Sequence, residues 1–169
     1  MKTPTATTIA LIAGLALSLP AAAAAPATEE ATIRALEAQF AAAFNAKDAD
    51  AIMKVYVPNE SLMVFDVVPP RQYVGANAYR RDWQDFFAHV KGPLKFEISD
   101  LGVTTDGRLG YSHSIQRVSG TDSKGQPIDL TVRVTDVYRK INGNWLIVHE
   151  HVSVPVDLDT GKPDLASKP

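Results

Sequence analysis

Along EEATIRALEAQFAAAFNAKD (residues 29–48), the apolar residues Ile33, Leu36, Phe40, Ala43 and Phe44 recur three or four positions apart. That spacing gathers side chains on one face of a helix. Thr28 stands at the N-cap position, and Glu29 and Glu30 fall in the first turn, where the helix dipole favours acids. The pattern breaks at Asn45–Asp48, and DADAIMKVYV reads as a short second helix stopped by Pro58. SLMVFDVVPP predicts a strand ending at two prolines, with RQYVG as its return. GANAYRRDWQDFFAHVKG predicts a third helix with Tyr79, Trp83, Phe86, Phe87 and Val90 on its apolar side. From Leu94 onward the period changes to two, giving LKFEISDLGVTT, LGYSHSIQRVS, PIDLTVRVTDVYRK and NWLIVHEHVSVPV, joined by the turn segments TTDGR, GTDSKGQ and NG. Helices followed by an antiparallel meander are α+β order. A strongly curved sheet wrapped around the helices buries one face and leaves a pocket at its mouth.

Asn142-Gly143 is the strongest hairpin signal, a two-residue turn with both central φ angles positive. Regular pairing outward sets Ile141 opposite Asn144, Lys140 opposite Trp145, Tyr138 opposite Ile147, Asp136 opposite His149 and Val134 opposite His151, all but the first pair on one face. The opposite face carries Leu146, Val148, Glu150 and Val152, with Arg133 a near-diagonal neighbour of Glu150. Both faces are half apolar. The first, with Trp, Ile, Tyr and two Val around an Asp–His pair, is assigned inward; the second has the character of a subunit interface.

Composition adds an address and removes some partners. Lys2, the apolar run Ile9–Leu19 and the alanines after it form a signal peptide, residues 1–25, and predict a periplasmic or secreted protein. The run is short for a membrane span and no second one follows, so no membrane anchor is expected. There is no cysteine to form a disulfide. Loss of Lys2 takes the formal charge from −2 to −3, and no basic stripe occurs, so no nucleic-acid partner is expected. Residues 28–156 suit one domain without internal repeats, and residues 157–169, polar with two prolines, read as a flexible tail.

FAAAFNAKDADAI (Phe40–Ile52), FDVVPPRQYVGANAY (Phe65–Tyr79) and DVYRKINGNWLIVHEHVSVP (Asp136–Pro155) resemble the SnoaL-like branch of the NTF2-like superfamily. The resemblance covers nearly all of residues 28–156. It implies a cone of three N-terminal helices packed in a curved antiparallel sheet with a central pocket, and a homodimer through the outer sheet face. It implies no single activity, because the superfamily holds isomerases, dehydratases, cyclases, hydrolases and binding modules. In the ketosteroid-isomerase branch a catalytic carboxylate base ends the strand after the second helix, and Asp66 matches that position. The oxyanion-stabilising tyrosine of that branch is Phe40 here, which donates no hydrogen bond. The association domain of calmodulin-dependent kinases is also similar, but His113 and Asp136 stand where its pocket is rich in arginine.

Together these readings assign catalysis to Asp66, His113, Asp136 and His149, and ligand contact to Tyr79, Trp83, Tyr138 and His151. A buried Asp beside an imidazole holds its tautomer and raises its basicity, as proton transfer near neutral pH requires. On this register His149 is the group expected to be essential. His149-x-His151 has the spacing of a metal-binding pair, with Asp136 or His113 as a third ligand. With no cysteine and no HExxH the residues are assigned no metal and no cofactor. Two readings stand: a cofactor-free isomerase, dehydratase or cyclase acting on a small, largely apolar molecule, and a non-catalytic ligand-binding or accessory protein with the same pocket.

Overall fold

The computed structural model describes residues 27–167, so the expected signal peptide lies outside the described residues. Helix α1 (Glu29–Asn45) starts at Thr28, whose hydroxyl accepts from the Ala31 N–H at 3.2 Å. Its buried stripe is the predicted Ile33, Leu36, Phe40, Ala43 and Phe44, joined by Glu37. Asp48 then caps α2 (Ala49–Ile52) by accepting from the Ala51 N–H at 2.9 Å, and one 3-10 turn (Met53–Val55) follows. The strand before the prolines is short, β1 (Met63–Phe65), and so is its return, β2 (Tyr73–Val74). Helix α3 (Ala76–Ala88) begins after Gly75, where φ is 84° and a Cβ would lie 2.2 Å from the Glu60 carboxylate. Only glycine meets both conditions.

Four long strands follow: β3 (Val90–Thr105), β4 (Leu109–Asp122), β5 (Pro127–Ile141) and β6 (Asn144–Ser153). They complete one six-stranded sheet in the order β2-β1-β6-β5-β4-β3, antiparallel throughout except for the parallel β1–β6 pair. Register breaks between Lys91 and Lys95, and between Ser99 and Gly102, kink β3 and raise its twist. The sheet therefore curves around α1 and α3 without closing. This is the α+β cone expected from the sequence.

The last hairpin begins as predicted. Asn142 and Gly143, at φ 50° and 84°, make the turn, and Ile141–Asn144, Lys140–Trp145 and Tyr138–Ile147 pair as expected. One step later the register slips. Val148 is an extra residue, so Val137 faces His149 and Asp136 faces Glu150. Side chains alternate with period two, so the bulge exchanges the faces of every residue beyond it. Past β6, Val156 bridges Pro163 and the Thr131 N–H donates to the Leu165 carbonyl at 2.8 Å, which gives the C-terminal stretch partners on the sheet.

Asn45 ties the end of α1 to β3 through both of its amide atoms. Its Oδ1 accepts from the Phe96 N–H at 2.8 Å, and its Nδ2 donates to the Phe96 carbonyl at 3.3 Å. Asn45→Ala leaves both backbone groups without partners, so we expect a loss of about 1–3 kcal/mol in urea unfolding. A change below about 0.5 kcal/mol would show the clamp to be dispensable.

Candidate functional site

α1, α3 and the inner sheet face enclose a cavity of about 320 Å³. Its walls are aromatic, because the apolar stripes of both helices converge on it. Phe44 stacks on Phe96 at 4.4 Å, and Phe40 meets Trp83 edge-on at 5.8 Å. Phe40, at the position the resemblance compares with an oxyanion tyrosine, is a wall residue. Val132, Val152 and Glu150 line the sheet side.

Glu150 is 5% exposed and accepts two tyrosine hydroxyls, Tyr56 at 2.5 Å on Oε2 and Tyr79 at 2.6 Å on Oε1. Tyr56 reaches it because the chain before Pro58 joins the sheet edge: Val57 N–H donates to the Ile147 carbonyl at 2.9 Å. Tyr79 reaches it from the first turns of α3. Burial pushes the Glu150 carboxyl up to about 7, and the two phenols pull against that rise. Both phenols are held well above their ordinary range, first by burial and then by the Glu150 charge, so they donate and do not ionise.

Behind Glu150 lies a second buried acid, its cross-strand partner Asp136, 1% exposed. Burial and then the Glu150 charge raise the Asp136 carboxyl well above the carboxylate range. No donor among the described residues reaches its buried Oδ1. A carboxyl oxygen facing another carboxylate is satisfied only by carrying the proton itself, which makes protonated Asp136 a donor to Glu150. Ser112 Oγ lies 3.4 Å from Asp136 Oδ2 and 2.8 Å from the Tyr138 hydroxyl, and Tyr138 donates to Glu37 of α1. Burial raises Glu37 too. Glu37, Asp136 and Glu150 thus share one chain of hydroxyls, with no lysine or arginine in it.

At the mouth, Asp66 Oδ1 accepts from the Val67 N–H at 2.5 Å, and its Oδ2 is 3.4 Å from the Tyr79 hydroxyl. Burial raises its carboxyl. Tyr79 therefore links a half-buried carboxyl at the mouth to the fully buried one inside.

Of the residues singled out in the sequence, Asp66, Tyr79, Trp83, Asp136 and Tyr138 lie on the inner side. Asp136 and Tyr138 sit behind Glu150, off the cavity wall. The three histidines correct the expected face. The Val148 bulge turns His149 and His151 outward, where Phe65 sits edge-on to both rings at 5.1 and 5.7 Å, and His149 Nδ1 is 2.9 Å from the Met63 carbonyl oxygen. His113 is also outward and exposed, opposite Thr135, with its ring over Gly102. The expected Asp136–His149 pair does not form, because Glu150 takes that place. Among the described residues no three His, Asp or Glu side chains are arranged to hold a metal ion.

Glu150 lies two residues beyond the bulge residue Val148, so regular alternation from the turn places it on the outer face. Glu37 was visible in principle, since it falls four residues after Ile33 and three before Phe40, on the apolar stripe itself.

The sequence matches the SnoaL-like domain family over residues 33–157, and the chain belongs to that family. It matches no curated protein. Among solved structures, an NTF2-like protein of unknown function from Pseudomonas putida KT2440 is 31% identical, with a TM-score of 0.74 over 83% of this chain and 96% of that one. A candidate calcium/calmodulin-dependent protein kinase II association domain from Xanthomonas campestris is 25% identical, with a TM-score of 0.63 over 78% and 91%. A ketosteroid isomerase-like protein from Erwinia carotovora atroseptica SCRI1043 is 21% identical, with a TM-score of 0.63 over 74% and 95%, a likeness of fold.

The buried acids set an unusual pH dependence of stability. The folded protein holds protons on Glu150, Asp136 and Glu37 at pH values where the unfolded chain has released them. The contributions of Glu150 and Glu37 are complete below about 4.5 and that of Asp136 below about 3.8, their ordinary values, and that of Glu150 is lost as pH rises to about 7. The melting temperature should therefore fall between pH 5 and about 8, the reverse of ordinary acid denaturation, and Glu150→Gln should flatten the slope. A melting temperature that rises across this window would overturn the protonated cluster.

Proposed function

We propose that this SnoaL-like protein is a cofactor-free acid/base enzyme of the isomerase, dehydratase or cyclase type, acting on a small, largely apolar molecule. The observation that carries the reading is Glu150. It is a carboxyl at the sheet side of an aromatic cavity, poised near neutral pH and backed by hydroxyl donors. A general base works best when its pKa lies near the operating pH. Glu150 takes a proton from a substrate carbon next to a carbonyl, and the electron pair passes to the carbonyl oxygen as an enolate. The same carboxyl, or Asp66 at the mouth, returns a proton at a second atom. Tyr79, whose hydroxyl donates to Glu150 at 2.6 Å and lies 3.4 Å from Asp66 Oδ2, can turn its one proton to whichever acid carries the charge. Asp136 acts through Glu150 as a positioning residue.

Two further features belong to this reading. The chain is exported on the segment 1–25, and two copies meet through the outer sheet face. Support for the second comes from the exposed apolar residues there, Phe65 at 37%, Leu109 at 48% and Tyr111 at 49%.

The test is hydrogen–deuterium exchange at carbon next to the carbonyl of small cyclic and aryl ketones in D₂O, followed by NMR. Exchange should rise through pH about 7 as Glu150 ionises. Glu150→Gln should lower it by about 10²-fold or more, the usual size of a general-base contribution. His149→Ala, on the outer face, should change it less than about threefold. Equal loss in both variants would sink the assignment to Glu150. Absence of exchange from every ketone that raises the melting temperature would make ligand binding itself the function.

A further inference from the structure

We propose that the indole N–H of Trp83 holds the carbonyl oxygen of the substrate, so that the cavity takes a neutral ketone with a compact apolar body. The proposal rests on the acid/base reading above and names the group that receives the charge Glu150 creates. Among the described residues two buried side-chain polar atoms have no hydrogen-bond partner, Asp136 Oδ1 and Trp83 Nε1. Asp136 lies behind Glu150 and answers its own deficit by keeping a proton. Trp83 stands in the cavity lining itself. The polar groups around it are engaged: Tyr79 donates to Glu150 at 2.6 Å, Gln116 donates to Ser114 at 3.3 Å, and Asp82 accepts from Tyr73 at 2.6 Å.

An indole N–H donates and never accepts, so only a ligand with an acceptor satisfies it. Phe40 and Phe44 stand edge-on to the indole at 5.8 and 5.4 Å, and a ring returns less to an N–H than an oxygen does. Nε1 is closed to solvent among these rings, so the bond forms as they give way to a ligand filling the cavity. A buried donor left empty costs more than an ordinary hydrogen bond returns, and a bound oxygen removes that cost. The charges nearby select among acceptors. Glu150 lies inside, with Asp66, Asp82 and Asp85 at the mouth and no lysine or arginine in the lining. A carboxylate would satisfy Trp83 but meet four acids, and an ammonium would leave Trp83 empty. A neutral oxygen meets both conditions. The carbonyl is the neutral oxygen on which charge develops when Glu150 takes a proton from the adjoining carbon. The electron pair passes to that oxygen, and the indole keeps its own proton while donating a stronger bond to the enolate than to the ketone. Tyr79 brings base and donor to one site. It precedes Trp83 by one turn of α3, with the ring centroids 5.3 Å apart, and donates to Glu150. The volume of about 320 Å³ is at the small end for ligand pockets, which limits the body to about a ring and a short chain.

The chain has two tryptophans, which gives the test its control. In proton–nitrogen NMR of the purified protein the indole signals are assigned by through-space contacts, Trp83 to Phe44 and Trp145 to Lys140. Trp145 Nε1 already donates to Glu29 at 2.6 Å, and its signal should stay in place. 1-Indanone should move the Trp83 Nε1–H signal downfield, and indane, the same body without the carbonyl, should not. Trp83→Phe keeps an aromatic ring and removes the N–H. It should weaken 1-indanone about fivefold or more and leave indane within about twofold. It should also lower exchange at the carbon next to the indanone carbonyl about tenfold or more. A Trp83 signal unmoved by 1-indanone, or moved equally by indane, overturns the proposal, and so does a response to Trp83→Phe that is the same for both compounds. If Trp83→Phe melts early, the signal from the unaltered chain decides. Exchange lost in Glu150→Gln but unchanged in Trp83→Phe overturns the carbonyl contact alone. A ketone-specific Trp83 shift, with exchange indifferent to Glu150→Gln, overturns the base alone.

Discussion

A carboxyl group taken out of water with no cation beside it must find hydrogen-bond donors or keep its proton. In this protein three such groups share one core, and their satisfaction organises everything around them. Glu150 collects the hydroxyls of Tyr56 and Tyr79, Asp136 keeps a proton against Glu150, and Glu37 receives Tyr138. The donors come from four separate pieces of chain: the segment after the 3-10 turn, α3, β4 and β5. Helices and sheet are thus joined by a polar network as well as by the aromatic stripes above it. An unpaired buried polar group costs far more than a satisfied one returns, so such a network permits few alternative packings.

The Val148 bulge makes the arrangement possible. Near the turn, regular pairing places Trp145 and Ile147 inward against Tyr138 and the first residues of α1. Continued without a break, that pairing would send Glu150 outward and bring His149 in. One extra residue keeps the apolar half of β6 in the core and also delivers the acid to the cavity. The bulge falls beside the point where Val57 and then β1 attach to the far edge of β6. The same short stretch therefore changes the strand's face and receives new neighbours.

The two faces of the sheet consequently carry different chemistry. The inner face holds acids and phenols among aromatic rings, in a cavity without a lysine or arginine in its lining. The outer face holds His113, His149 and His151 with Phe65 and Tyr111, beside ordinary surface. Membership of the SnoaL-like family accounts for the cone and for the presence of a pocket.

Local patterns were legible in the chain alone. The stripe of α1, the Thr28 cap and the Asn142-Gly143 turn depend on neighbours a few residues apart and stand as read, whereas the third helix ends at Ala88, so that Val90 opens β3 instead of extending its stripe, and the last strand loses its regular alternation at Val148. The inward places of Asp66, Tyr79, Trp83, Asp136 and Tyr138 followed from those patterns and from the family resemblance. The choice between His149 and Glu150 did not, because alternation along VHEHV is equally regular for either face. Only the fold decided it, through hydroxyls 94 and 71 residues away in sequence that can reach Glu150 and have no counterpart for an inward His149. A strand's period is written locally, but its phase is set by the partners that tertiary packing brings to it.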